Sequence, residues 1–171
     1  SDYKIGVKNL NKLEGIIGKK LNGGFLTSGN IFVENSLFLV SGNSNIFESS
    51  TTYELKIKDS TLQDMNFKIQ DAKLEKLFHM LNEPVYATGN LDIQGDVKNA
   101  NIDKLDGLIV SKVSQAKIIN EVVNTVFKQE IKDTINFDLQ VDTSLVPNQS
   151  ISKAFVNTNI MNLIIEKAIF D

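Results

Sequence analysis

Between Thr52 and Ile69 apolar and polar residues alternate: Tyr53, Leu55 and Ile57 share one side, and after a turn at Lys58-Asp59-Ser60 the series continues through Leu62, Phe67 and Ile69. A period of two is the mark of half-buried antiparallel strands. The same pattern predicts strands over Tyr3 to Val7 and over Phe25 to Val33, the latter interrupted by a turn at Ser28-Gly29-Asn30, and over Leu37 to Val40 before a turn at Ser41-Gly42-Asn43. Further strands are expected in the stretch Tyr86 to Lys98, with Leu91, Ile93 and Val97 apolar, and over Leu108 to Val113. The tail alternates through Ile135, Phe137, Leu139 and Val141, breaks at Val146-Pro147-Asn148, and resumes from Phe155 to Ile169.

Three stretches carry helical spacing instead. Asn9 offers an N-cap for Leu10, Leu13, Ile16 and Ile17, although Gly15 and Gly18 weaken that helix by about 1 kcal/mol each relative to Ala and Gly23-Gly24 ends it. Asp71 is read as the cap of a second helix with Leu74, Leu77, Phe78 and Leu81 on its apolar face, stopped by Pro84. The longest helix is expected over Gln115 to Lys128, capped by Ser114, with a stripe of Ile118, Ile119, Val122, Val123, Val126 and Phe127. Shifting the chain by sixty residues aligns Gly29-Asn30-Ile31 with Gly89-Asn90-Leu91, Val33 with Ile93, Leu21 with Leu81 and Ile17 with Leu77. The expected organisation is one domain of two related helix-plus-meander units, residues 9–70 and 71–142, followed by a strand region 143–171. The expected class is α+β but β-dominated: a curved antiparallel sheet with two to three amphipathic helices packed on it or at its ends.

Composition narrows the chemistry. At 171 residues, 42% apolar and 23% charged, the chain is long enough to fold around a core, and the net charge of −3 excludes little. Every basic residue is Lys, and only Lys19-Lys20 are adjacent, so the bidentate donors and basic patch of a nucleic-acid binder are missing. The absence of Cys removes disulfides and thiolate metal sites. His79, the one histidine, lies beside Glu75 and Glu83 and away from the leucine stripe, as a solvated helix residue would, and no Gly-x-Ser-x-Gly elbow accompanies it. Asp92, Asp96, Asp103 and Asp106 lack the spacing of a calcium loop and suit turns. Gly95 and Gly107 sit outside any phosphate-loop pattern and suit bulges or tight turns, and Asn148-Gln149-Ser150 fits a glycosylation sequon but also an ordinary loop. No catalytic residue, metal or cofactor is expected. The first and last residues suggest a fragment of a longer protein.

Asn9-Leu10-Asn11-Lys12-Leu13, continuing through Gly18, Leu21 and Gly23 to Gly29-Asn30-Ile31, resembles the helix-to-strand unit of the AsmA-like and TamB-like bacterial envelope proteins. Leu74 to Leu81 followed by Gly89-Asn90-Leu91-Asp92-Ile93-Gln94-Gly95 resembles it again, and Leu105-Asp106-Gly107-Leu108 with the stretch up to Phe127 is similar to a section near the family's C-terminal end. The resemblance implies a periplasmic body of a protein anchored in the inner membrane, without enzyme activity, whose apolar trough serves phospholipid movement and outer-membrane homeostasis. It implies a lipid-facing floor made of Ile31, Val33, Leu55, Ile57, Phe67, Ile69, Leu91, Ile93, Phe137 and Leu139. Its expected partner is a phospholipid or another elongated apolar ligand, with envelope proteins also possible. The competing expectation is a structural or protein-interaction module with a filled core and no bound lipid.

Overall fold

A computed structural model describes residues 1–14, 20–100 and 102–170. Ten strands form one antiparallel sheet in chain order: β1 (Asp2–Val7), β2 (Phe25–Glu34), β3 (Leu37–Ser44), β4 (Ser50–Lys58), β5 (Thr61–Lys73), β6 (Ala87–Lys98), β7 (Asp106–Ile118), β8 (Asn136–Val146), β9 (Gln149–Thr158) and β10 (Asn162–Phe170). The β-dominated antiparallel expectation holds; the sheet is open and not closed into a barrel. Among the described residues there are two α-helices, α1 (Leu74–Met80) and α2 (Asn120–Phe127), and 3-10 turns at Leu10–Leu13, Ile46–Glu48 and Ile102–Lys104.

A pure meander explains the arrangement of ends. The connections β1–β2, β3–β4, β5–β6 and β7–β8 all lie at one end of the strands and carry, in order, the first 3-10 turn, the second 3-10 turn, α1 and α2. At the opposite end β2–β3, β4–β5 and β8–β9 are joined by short turns in which Asn35, Ser36, Asp59, Ser60 and Asn148 take positive φ. The core collects under the helical end, where Leu74 of α1 packs with Ile69, Ala72, Ala87, Leu91, Val113 and Ala116, joined by Ile46, Phe47, Leu77 and Phe78. Among the described residues no large side chain is fully buried. A compact protein of 19.0 kDa exposes about 8,400 Å² by size scaling, and this chain exposes 11205 Å². The excess is that of a single-layered sheet.

Several expectations are corrected. Ser28-Gly29-Asn30 and Ser41-Gly42-Asn43 are not turns but the middles of β2 and β3, where they pair with each other residue for residue. Asp71 does not cap α1; it takes φ 55 at a bulge in β5, and Lys73 holds the N-cap position without a side-chain hydrogen bond. The long helix is much shorter, because Gln115 to Ile118 belong to β7, in which Ala116 pairs with Phe137 and Lys117 with Asn136. Ladder pairing with β6 and β8 outweighs helical spacing there, and α2 starts only at Asn120. Near the N-terminus Leu10–Leu13 is a 3-10 turn with Asn9 accepting from the Asn11 backbone, while Ile16 and Ile17 lie outside the described residues. The apolar run Ile160 to Ile165 begins in the β9–β10 turn and continues into β10.

The structure also contains a recurrence that the sixty-residue alignment does not use. In β5 the bulged Asp71 donates its backbone N–H to Asp92 of β6 (2.9 Å), and in β7 the bulged Gln115 donates to Asp138 of β8 (3.0 Å). Each is a strand with a positive-φ bulge, a helix, and a return strand whose aspartate satisfies the bulge. Gly29 lies mid-strand, whereas Gly89 lies at a bulge in the β6–β7 pairing.

Candidate functional site

Directly paired residues in a ladder project to the same face, so the register alone assigns every paired side chain a side. One row runs Tyr3–Gly29–Gly42–Tyr53–Phe67–Gly95–Ile109–Thr143–Ser152–Ala168 across all ten strands. Toward the short turns the neighbouring row includes Ile31, Val40, Leu55, Met65 and Val97; toward the helices lie Ile69, Ile93 and Val141, then Ala72, Leu91, Val113 and Leu139. No residue in ladder register on this face is Asp, Glu or Lys. The opposite face carries them, with signs alternating along Lys56–Asp64–Lys98–Asp106 and a Lys56–Asp64 ion pair of 3.7 Å.

All ten sequence-predicted floor residues, Ile31, Val33, Leu55, Ile57, Phe67, Ile69, Leu91, Ile93, Phe137 and Leu139, fall on the uncharged face. The structure then divides them. Ile69 and Leu91 are buried in the core beneath α1, and Phe67, Ile93, Phe137 and Leu139 pack against that core. Ile31, Leu55 and Ile57 are half-buried and Val33 is exposed, in the part of the face that no helix reaches. Helix α1 therefore covers part of one end of the face, and the end toward the short turns stays open.

The centre of the face has a feature that alternation could not reveal. Tyr3 and Tyr53 stand at the two ends of a row with Gly29 and Gly42 between them, and their hydroxyls hydrogen bond over those glycines; Thr27 bonds the Tyr53 hydroxyl as well. A Cβ on Gly42 would meet the Tyr3 and Tyr53 hydroxyls at 2.3 and 2.7 Å, and one on Gly95 would meet the Phe67 ring at 2.1 Å. The glycines are thus absences that let three rings lie along the sheet. Burial, then the bond to Tyr53, raises the Tyr3 pKa above the ordinary phenol value. The signal was in the sequence as glycines opposite aromatics, but it needs the register to be read.

Depressions of about 620, 420 and 370 Å³ open on the charged face, lined mainly by its long side chains such as Glu54, Asn66, Lys68 and Gln94. His79 is exposed on α1, and its carbonyl accepts a hydrogen bond from Asn22. Among the described residues no group of His, Asp and Glu is spaced to hold a metal, and no helix is long and apolar enough to cross a membrane. No family model, curated protein or solved structure matches the chain.

Proposed function

We propose that this chain is a non-enzymatic segment of a periplasmic β-groove, belonging to a protein of the AsmA-like kind anchored in the bacterial inner membrane, and that its uncharged face carries the acyl chains of phospholipid. The observation behind this reading is a ten-strand open sheet whose ladder residues on one face include no charge, with helical cover at one end only. Such a face costs free energy in water. Covering it with acyl chain recovers about 0.8 kcal/mol per buried CH₂, while a head group stays hydrated beyond the rim. Similar side chains from strand to strand offer a sliding surface and no single docking position, which suits conduction better than storage. The hydroxyls of Tyr3, Tyr53 and Thr27 satisfy one another and so do not interrupt the surface.

The test is site-specific photocrosslinking in cells. A photoreactive residue at Leu55 or Ile31 is expected to capture phospholipid, identified by mass spectrometry, and one at Glu54 on the other face is not. Absence of lipid adducts at Leu55 and Ile31, or equal labelling at Glu54, overturns the reading. The rival, an envelope interaction module, is favoured by one observation: Phe32, Leu39 and Leu108 are exposed apolar residues on the face that also carries the charges. Protein adducts in place of lipid adducts would select it.

A further inference from the structure

On the charged face a furrow of about 420 Å³ crosses β2 to β6 between two rows of side chains. One wall includes Asn43, Lys68 and Gln94, and the other includes Asn30, Glu54, Asn66 and Asp96. The floor is the backbone of the row from Gly29 to Gly95, whose Tyr53 and Phe67 rings belong to the opposite face. Among the described residues none of these seven wall side chains makes a hydrogen bond or an ion pair. Asparagines in the connections are used by the fold: the side chains of Asn22, Asn45, Asn120 and Asn124 all bond to other parts of the chain. Those in the furrow are idle.

Asn and Asp are poor strand formers, yet Asn30, Asn43, Asn66 and Asp96 all sit inside strands and are paired on both sides in the ladder. Residues that oppose their own element and make no bond within the fold mark a functional surface. Charge does not select the ligand, because Glu54 and Asp96 face Lys68 and nearly balance it. The walls offer four amides instead, each of them both a donor and an acceptor. They match a ligand whose polar groups are hydroxyls, since a hydroxyl also donates and accepts.

We propose that this furrow binds an extended β-1,4-linked glycan, with one sugar ring for each strand crossed. Neighbouring strands lie about 4.8 Å apart, close to the roughly 5 Å rise of one pyranose ring in such a chain. Ring and strand therefore stay in step from β2 to β6. An extended peptide advances about 3.3–3.4 Å per residue and falls out of step within two strands. A second depression, of about 370 Å³, shares Lys68, Gln94 and Asp96 and carries the path on to Leu108 and Val110 of β7. Their aliphatic side chains give the C–H face of a further ring a surface to rest on. The glycan and the lipid proposed above occupy opposite faces of the sheet, so they do not compete.

The test is a titration of the isotope-labelled full chain with cellotetraose, with its N-acetylated counterpart chitotetraose, and with the α-1,4-linked maltotetraose, following side-chain amide signals by NMR. The β-1,4-linked sugars are expected to shift the amide signals of Asn30, Asn43, Asn66 and Gln94. Those of Asn120 and Asn124 should stay in place, because the Asp133 and Ile131 carbonyls already hold them. Maltotetraose, which coils and has no straight repeat, should shift none. The variant N43V/N66V loses two hydrogen bonds to the ligand, so its affinity should fall about tenfold. It should melt no lower than the natural chain, since neither side chain bonds within the fold and Val suits a strand. No shift with either β-1,4-linked sugar, an equal response to maltotetraose, or undiminished affinity in N43V/N66V overturns the proposal. Photocrosslinking at Leu55 reads the opposite face, so either idea can fail alone.

Discussion

Asn22 donates its side-chain amide to the Asn82 side-chain oxygen at 2.9 Å, and the two asparagines stand sixty residues apart in the chain. The same amide donates to the His79 carbonyl at 3.2 Å, and the Asn22 backbone N–H reaches the Met80 carbonyl at 2.8 Å. The strap before β2 is thereby fastened to the C-terminal end of α1, where Asn22 supplies a donor to the Met80 carbonyl and a second donor to the His79 carbonyl, which also accepts from the Asn82 backbone N–H at 3.1 Å.

Asn82 sits at φ 60, a conformation that costs an ordinary side chain about 1 kcal/mol and glycine nothing. Asn82→Ala loses the acceptor and keeps the strain, and Asn82→Gly loses the acceptor alone. Urea unfolding should therefore rank natural above Asn82→Gly above Asn82→Ala, with the two variants separated by about 1 kcal/mol. Equal stability of the two would mean that backbone conformation does not matter there.

The Tyr3 hydroxyl gives a pH dependence with a definite sign. Its folded-state pKa is raised, first by burial and then by the hydroxyl of Tyr53, so the folded protein holds the neutral phenol more tightly than the unfolded chain does. The resulting stability is complete below the unfolded phenol value, about 10, and is lost as pH rises through the higher folded value. In a near-ultraviolet absorbance titration one of the three tyrosines should ionise late. Tyr3→Phe should remove that late phase and reduce the loss of stability at high pH.

Gly95 and Phe67 make a pair that a double-mutant cycle can resolve. A methyl at Gly95 strikes the Phe67 ring, so Gly95→Ala alone should cost about 1–3 kcal/mol as an overpacked site. In the background Phe67→Ala the obstruction is gone, and adding Gly95→Ala should then cost far less. Gly29→Ala has no such rescue, because its Cβ would meet the Ser41 carbonyl oxygen at 1.9 Å and the Gly42 Cα at 2.5 Å, both backbone. Additive costs at Gly95 and Phe67 would contradict ring packing over the glycine.

How much of this was legible in the chain follows from which interactions are local. Alternation fixed the face of Tyr53, Leu55, Phe67 and Ile93 because a strand's period survives any tertiary context. It misread Gly29 and Gly42 as turns, since Ser-Gly-Asn is turn chemistry unless an aromatic from another strand needs the vacant space. Helical spacing at Ile118 and Ile119 coexists with strand alternation, and the competition was decided by partners in β6 and β8 far away in sequence. Leucine spacing correctly placed α1, but it could not tell that α1 covers Leu91 and leaves Leu55 uncovered. That difference is a matter of connection geometry, because among the described residues both α-helices lie in connections at one end of the strands.

Leu91 and Leu55 therefore serve as paired reporters of what the uncharged face is for. Leu91 is 3% exposed among Ile69, Ala72, Leu74 and Val113, so Leu91→Ala should leave a cavity and cost about 2–5 kcal/mol by thermal or urea unfolding. Leu55 is half-buried away from the helices, and a charge placed there stays in contact with water. Leu55→Asp should thus lower stability by much less than Leu91→Ala, while placing a carboxylate on a surface whose ladder residues have none. An acyl chain lying there would have to strip water from that charge, which is strongly unfavourable. The expected result is a folded Leu55→Asp protein with reduced phospholipid retained on purification, beside a destabilised Leu91→Ala protein whose folded fraction retains lipid normally. Unchanged lipid in Leu55→Asp would mean that acyl chains do not occupy the open end of the face.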